Sequence, residues 1–99
     1  MASTANLHVI ARFLAKAGQE DALKKVLNAA IPPTRREIGC YRYDLLVNDT
    51  DSRDFCFIER WDTDRAFDEH LETPHAQLML RQIEGLLENP PDIRRYRMV

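Results

Sequence analysis

Polar and apolar residues alternate along Leu7–Leu14 (LHVIARFL). Leu7, Val9, Ala11 and Phe13 fall on one face, and His8, Ile10, Arg12 and Leu14 on the other. The spacing predicts a strand, and apolar residues on both of its faces predict that both are covered. After the Ala17-Gly18 break the period changes. Ala22, Leu23, Val26, Leu27, Ala30 and Ile31 recur at three- and four-residue steps, which predicts a helix over 19–31, with Glu20 and Asp21 in its first turn where the helix dipole favours acids. Pro32-Pro33 should stop or kink it, because Ile31 before a proline is disfavoured in the α region. Thr34–Glu37 can form one more turn, and Gly39 can end it.

Alternation returns over Cys40–Val47, with Tyr41, Tyr43, Leu45 and Val47 assigned to one face, and again over Asp54–Trp61, with Phe55, Phe57, Glu59 and Trp61 on one face. The polar run Asn48–Asp54 between them predicts a turn. Asp62 or Thr63 can cap a short second helix carrying Ala66, Phe67, His70 and Leu71 on one side. Thr73-Pro74 restarts it, with Pro at the first helical position. Ala76, Met79, Leu80, Ile83, Leu86 and Leu87 carry the stripe on to Asn89-Pro90-Pro91, and Ile93–Val99 predicts a last strand.

The order β-α-β-β-α-β predicts a single α+β domain over residues 1–99. Its fold class is ferredoxin-like: a four-stranded antiparallel sheet with both helices on one face. Two helices cover only one face, yet the strands are apolar on both. A second copy of the chain is the simplest cover for the other, so the pattern predicts a homodimer joined through its sheets.

Composition narrows the function classes. The chain has 99 residues, 44% hydrophobic and 30% charged, with a net charge of −2. That balance gives no reason to expect a nucleic-acid partner, and no apolar run is long enough to predict a membrane span. Met1–Asn6 carries no basic region followed by an apolar run, so the expectation is a cytoplasmic protein with reduced thiols. Cys40 and Cys56 form no CxxC pair; they can bridge only if their strands place both on one face. Spacing along the chain gives no metal-ligand cluster, no phosphate loop and no serine nucleophile elbow.

His70, between Phe67 and Leu71 on an apolar helix stripe, is the most informative polar residue. Such an imidazole is either a core histidine bonded to a backbone carbonyl or a general base, its pKa lowered by desolvation. Glu59 lies among Phe55, Phe57 and Trp61 and needs a partner; His70, Arg12 and Arg94 are candidates. Trp61 is plain core or the flat wall of a pocket for an aromatic ligand. His75 follows Pro74 in a first helical turn, exposed or at a pocket mouth, and His8, beside Ile10 and Arg12, faces the sheet partner rather than a pocket. Arg94, Arg95 and Arg97 form either a solvated strand edge or an anion clamp.

Three segments together resemble the antibiotic biosynthesis monooxygenase family. The first is Ala17-Gly18-Gln19-Glu20 before the first helix, with Ala17 where the family usually has Pro. The second is Glu37-Ile38-Gly39-Cys40-Tyr41-Arg42-Tyr43. The third runs from Glu59-Arg60-Trp61 through Ala66 and His70 to Thr73-Pro74-His75. The resemblance runs from about Leu7 to the C-terminus. It implies a dimeric α+β barrel with a pocket between sheet and helices in each subunit. It implies oxidation of quinols or phenols by O2 without a cofactor or metal. On that reading His70 is the base or proton relay, Trp61 the aromatic wall and Glu59 the group that orients His70 or shapes the pocket. Phe57, Phe67 and His75 complete the expected substrate-binding set. Other branches of the family degrade haem, using an Asn-Trp-His set for which Asn6 is the only asparagine near the first strand, or act on a small carbonyl compound. The alternative function is therefore a non-oxygenase enzyme, isomerase-like, or a binding module for a small oxygenated metabolite.

Overall fold

The computed structural model describes residues 6–99, so Met1–Ala5, read above for an export signal, lies outside the described residues. The elements are β1 (Leu7–Leu14), α1 (Glu20–Ala29), α2 (Ile31–Arg35), β2 (Cys40–Asn48), β3 (Asp51–Trp61), α3 (Asp64–Leu71), α4 (Pro74–Ile83) and β4 (Asp92–Tyr96). The four strands form one antiparallel sheet in the order β2-β3-β1-β4. This is the expected ferredoxin-like α+β fold. No described helix is long and apolar enough to cross a membrane.

The core lies between one sheet face and the helices. Leu7, Val9, Ala11 and Phe13 from β1 meet Phe55, Phe57 and Trp61 from β3, and Leu23, Leu27, Phe67, Met79 and Ile83 close over them. On the opposite face the register aligns Ile10 with Ile58 and Arg12 with Cys56, while Leu46 of β2 also pairs with Cys56. Ile10, Cys56 and Ile58 are half-buried there, and Leu46 is exposed. Cys40 pairs with Trp61 on the helix side and Cys56 with Arg12 on the other. The two thiols are thus on opposite faces, and both are free.

Several boundaries differ from the sequence reading, each for a local reason. The first helix ends at Ala29, ahead of the prolines, and Pro32 and Pro33 sit in the first turn of α2. Their missing N–H groups cost nothing there, since a first turn has no intrahelical partner for them. The β2–β3 connection is shorter than Asn48–Asp54: Asn48 pairs with Asp51, and its side chain accepts a hydrogen bond from the Thr50 N–H. Tyr41 is a correction. A bulge between Cys40 and Arg42 inserts one extra residue into β2, so Tyr41 leaves the face of Tyr43 and lies under Arg60, exposed. α4 ends at Ile83 and turns at Gly85, which has φ +82°, so Leu86 and Leu87 lie beyond the helix; Leu87 bridges to Ala15 instead.

Candidate active site

The site grows from a short connection. Thr63 caps α3, its hydroxyl accepting from Ala66 N–H, and Thr73 caps α4 in the same way through Ala76 N–H. The Thr73 hydroxyl also donates to the His70 carbonyl at 2.7 Å, which clips the end of α3 to the start of α4. The histidines on the two helices are thereby brought together, with ring centroids 6.0 Å apart.

His70 points into the core, as its place on the apolar stripe predicts. Its ring lies against Trp61 (4.8 Å between centroids), Tyr43 (5.7 Å) and Phe67 (5.9 Å). Its Nδ1 is 2.6 Å from Oε2 of Glu37, and Nε2 of His75 is 2.7 Å from the same oxygen. A carboxylate only accepts, so each ring nitrogen facing it carries a proton. In neutral His70 this leaves the Nε2 lone pair free. Burial pulls the His70 pKa down, and Glu37 partly offsets that.

Glu59 is buried and takes a different partner from those considered above. Trp61 Nε1–H donates to its Oε1 at 2.8 Å. The correction has a geometric cause: Glu59 and Trp61 are two apart on one strand face, so their side chains lie side by side. Desolvation pushes the Glu59 pKa up to about 8, against the Trp61 hydrogen bond, which lowers it. Tyr43 stacks on Phe57 at 4.3 Å, and burial, with Glu59, raises its phenol pKa well above the ordinary value.

His70, Glu59, Tyr43, Phe57 and Phe67 line a cavity of about 20 Å³, completed by Ala11, Phe13, Ala76, Met79 and a rim of Leu71, Leu80 and Ile93. That is room for one small molecule the size of water or O2. An aromatic ring enters only if the rim parts, and Met79, unbranched and adaptable, is the lining residue best suited to yield. A larger groove of about 470 Å³ lies beyond Leu80, between the end of α4 and Leu87–Pro91, and Leu80 lines both.

Four of the expected site residues, His70, Glu59, Phe57 and Phe67, thus line one cavity; Trp61, expected as its aromatic wall, packs on His70 and bonds Glu59 but is not among the lining residues, and His75 joins the group through Glu37. Glu37, the hub, has no chemical role in the sequence reading, where it appears only in the Glu37-Ile38-Gly39-Cys40 segment. It is 33 residues from His70, and only the fold makes them neighbours. The same three residues are the described group that could ligate a metal, with donor atoms all within 4.8 Å of one another; spacing along the chain does not reveal it. The contacts of 2.6 and 2.7 Å are hydrogen bonds that both end on the Glu37 carboxylate. His8 lies on the opposite sheet face beside Arg60 and Tyr96. The terminal arginines form no open anion clamp: Arg94 pairs with Asp92, Arg95 with Asp68, and Arg97 with Asp64.

The site is thus a cavity between sheet and helices with a buried imidazole at its wall. Residues 6–82 match the family model described as antibiotic biosynthesis monooxygenase, and the chain belongs to that family. Rv0793 of Mycobacterium tuberculosis is 38% identical over 87 residues, which cover 88% of this chain and 85% of that protein. The Rv0793 structure superposes with a TM-score of 0.90, covering 96% of each chain at 34% identity. The structure of PA3566 from Pseudomonas aeruginosa gives 0.90 at 36% identity, covering 96% of this chain and 95% of that one.

Proposed function

We propose that the protein is a monooxygenase that needs no cofactor and oxidises a small, electron-rich aromatic substrate, a quinol or phenol, with O2. The observation that carries this reading is His70: a buried imidazole with Nδ1 occupied by Glu37 and Nε2 free, lining a cavity walled by aromatic rings. Family membership supports the oxygenase class.

The chemistry is consistent with these residues. Triplet O2 reacts slowly with closed-shell molecules, but a phenolate can give it one electron. The protein's part is to remove the phenolic proton and hold the anion in a dry place. His70 Nε2 takes the proton, and Glu37 stabilises the imidazolium across a 2.6 Å hydrogen bond. Tyr43, Phe57 and Phe67 enclose the ring, Trp61 backs His70 from behind, and the protonated form of Glu59 can donate to a substrate oxygen. Two copies pack through their outer sheet faces, where Ile10, Ile58, Cys56 and Leu46 form an apolar strip across three strands.

Oxygen uptake with a panel of hydroquinones tests the reading. The wild type consumes O2, and His70→Ala is slower by about 10²–10⁴-fold, the usual contribution of a positioned base. Equal rates with and without His70 for every quinol would exclude the oxygenase. Proton transfer on a carbonyl compound without O2 uptake would favour the isomerase-like alternative.

A further inference from the structure

The residues that meet at Glu37 arrive from three places in the chain. Glu37 stands between α2 and β2, with its backbone bonded on both sides: its N–H donates to the Thr34 carbonyl at 3.0 Å, and its carbonyl accepts from Cys40 N–H at 3.2 Å. His70 lies in the last turn of α3 and His75 in the first turn of α4, and the Thr73 hydroxyl clips those two ends together. The backbone thus converges two imidazole nitrogens and a carboxylate oxygen, all within 4.8 Å of one another. Charge points the same way. No arginine or lysine among the described residues forms an ion pair with Glu37, whose salt-bridge partners are the two histidines. The Glu37 side chain is only 14% exposed, so its charge is poorly served by water, and neutral imidazoles leave it uncompensated.

We propose that Glu37, His70 and His75 bind a divalent transition cation of the zinc class, and that the bound cation disables His70 as a base. Two imidazoles and a carboxylate suit such cations; calcium and magnesium take oxygen ligands and are poorly served here. Tetrahedral ligands about 2.1 Å from zinc stand about 3.4 Å apart, so the contacts of 2.6 and 2.7 Å need to widen by less than about 1 Å. Three protein ligands leave one position for water, and His75, 25% exposed, sets the way in on the solvent side.

The proton balance closes. Each imidazole gives up the N–H that faces Glu37 and takes a proton at its other ring nitrogen. Both rings stay neutral, Glu37 stays an anion, and no net proton is lost. For His70 the other nitrogen is Nε2, so the lone pair offered to the substrate becomes an N–H donor. This second half rests on the reading of His70 as the base; the binding of the cation does not. Two further side chains supply controls. The Cys40 thiol feels Glu37 but points its Sγ at the Arg42 carbonyl and is not one of the three converging donors. His8, the one other histidine of the chain, lies on the opposite sheet face.

The test is equilibrium dialysis of the chelator-treated full chain against Zn²⁺, with bound zinc counted by elemental analysis, and ¹⁵N NMR of the ring nitrogens. The wild type should hold one zinc per chain, and so should His8→Ala and Cys40→Ser. His75→Ala and Glu37→Gln should each weaken binding by at least about 100-fold, because a direct ligand counts for more than an outer partner, whose loss costs about 10–100-fold. In the zinc-loaded wild type the NMR should show His70 protonated on Nε2. No bound zinc, binding that survives His75→Ala, binding that depends on His8 or Cys40, or His70 still protonated on Nδ1 would each overturn the site. His75→Ala changes a partly exposed side chain, so it carries the test even if Glu37→Gln fails to fold. Oxygen uptake is read separately. If the metal-free protein oxidises a quinol, zinc should stop it, and undiminished uptake by the zinc-loaded protein would overturn the inhibition. A metal-free protein that oxidises no quinol yet binds zinc through these residues would count against the oxygenase reading alone.

Discussion

At the scale of single residues, the site depends on buried polar groups that stay in the core because each has a partner. Glu59 illustrates the energetics. Its folded pKa of about 8 lies above the ordinary carboxyl value of 4.5, so the folded protein binds more protons than the unfolded chain between those values. Stability therefore falls as pH rises through that window. Glu59→Gln keeps an oxygen for Trp61 Nε1–H but removes the titration. It should match the wild type near the lower value and exceed it above the upper one, by an amount on the order of a few kcal/mol. Urea unfolding at a series of pH values checks this; a constant difference between the two proteins would contradict it. His70 works in the opposite sense. Its pKa is lowered from 6.5, so stability is lost as pH falls below that value. The need of Glu59 for a partner was legible in the sequence, because a carboxylate alternating with Phe55, Phe57 and Trp61 faces the core. So was the inward aim of His70, from helical spacing. Glu37 was not legible as a hub, because no local period connects residues 33 apart.

At the scale of elements, the connections place the site. Gly39 has φ +89°, and a Cβ there would come within 2.9 Å of the Ala66 Cβ on α3. The start of β2 and the first turn of α3 thus approach as only glycine allows, and the Gly39 carbonyl accepts from Asp62 N–H just before that helix. Gly39→Ala should cost about 1–3 kcal/mol, from the strained backbone and the contact together. Because Glu37 is two residues away, the substitution should also disturb its bonds to the histidines. Chemical denaturation measures the first effect, and an unaltered midpoint would show that the approach is not tight. The strand and helix order was readable because the periods of the hydrophobic pattern change cleanly at Gly18, Gly39 and the prolines. The bulge at Tyr41 was not: alternation in a sequence cannot reveal that one residue is unpaired, so Tyr41 was assigned to the face it leaves. The break at Ala30 escaped for a related reason, since the apolar stripe runs on through Ile31.

At the scale of the molecule, one sheet face carries the helices and the cavity, and the other presents Ile10, Ile58, Cys56 and Leu46. Light scattering should give twice the chain mass at micromolar concentration, and Ile58→Asp, at the middle of that strip, should give a folded monomer. A wild-type monomer would remove the dimer. The cavity of about 20 Å³ is far smaller than an aromatic substrate needs, whereas the groove beside it, about 470 Å³, is large enough but does not include His70. Binding of an aromatic ring at His70 therefore needs the Leu71–Leu80–Ile93 rim to open. A crystal structure with a hydroquinone bound under anaerobic conditions is the most direct test. On the oxygenase reading the ring lies among Tyr43, Phe57 and Phe67, with one hydroxyl on His70 Nε2. A ligand lodged in the outer groove, with the rim closed and His70 untouched, would contradict it.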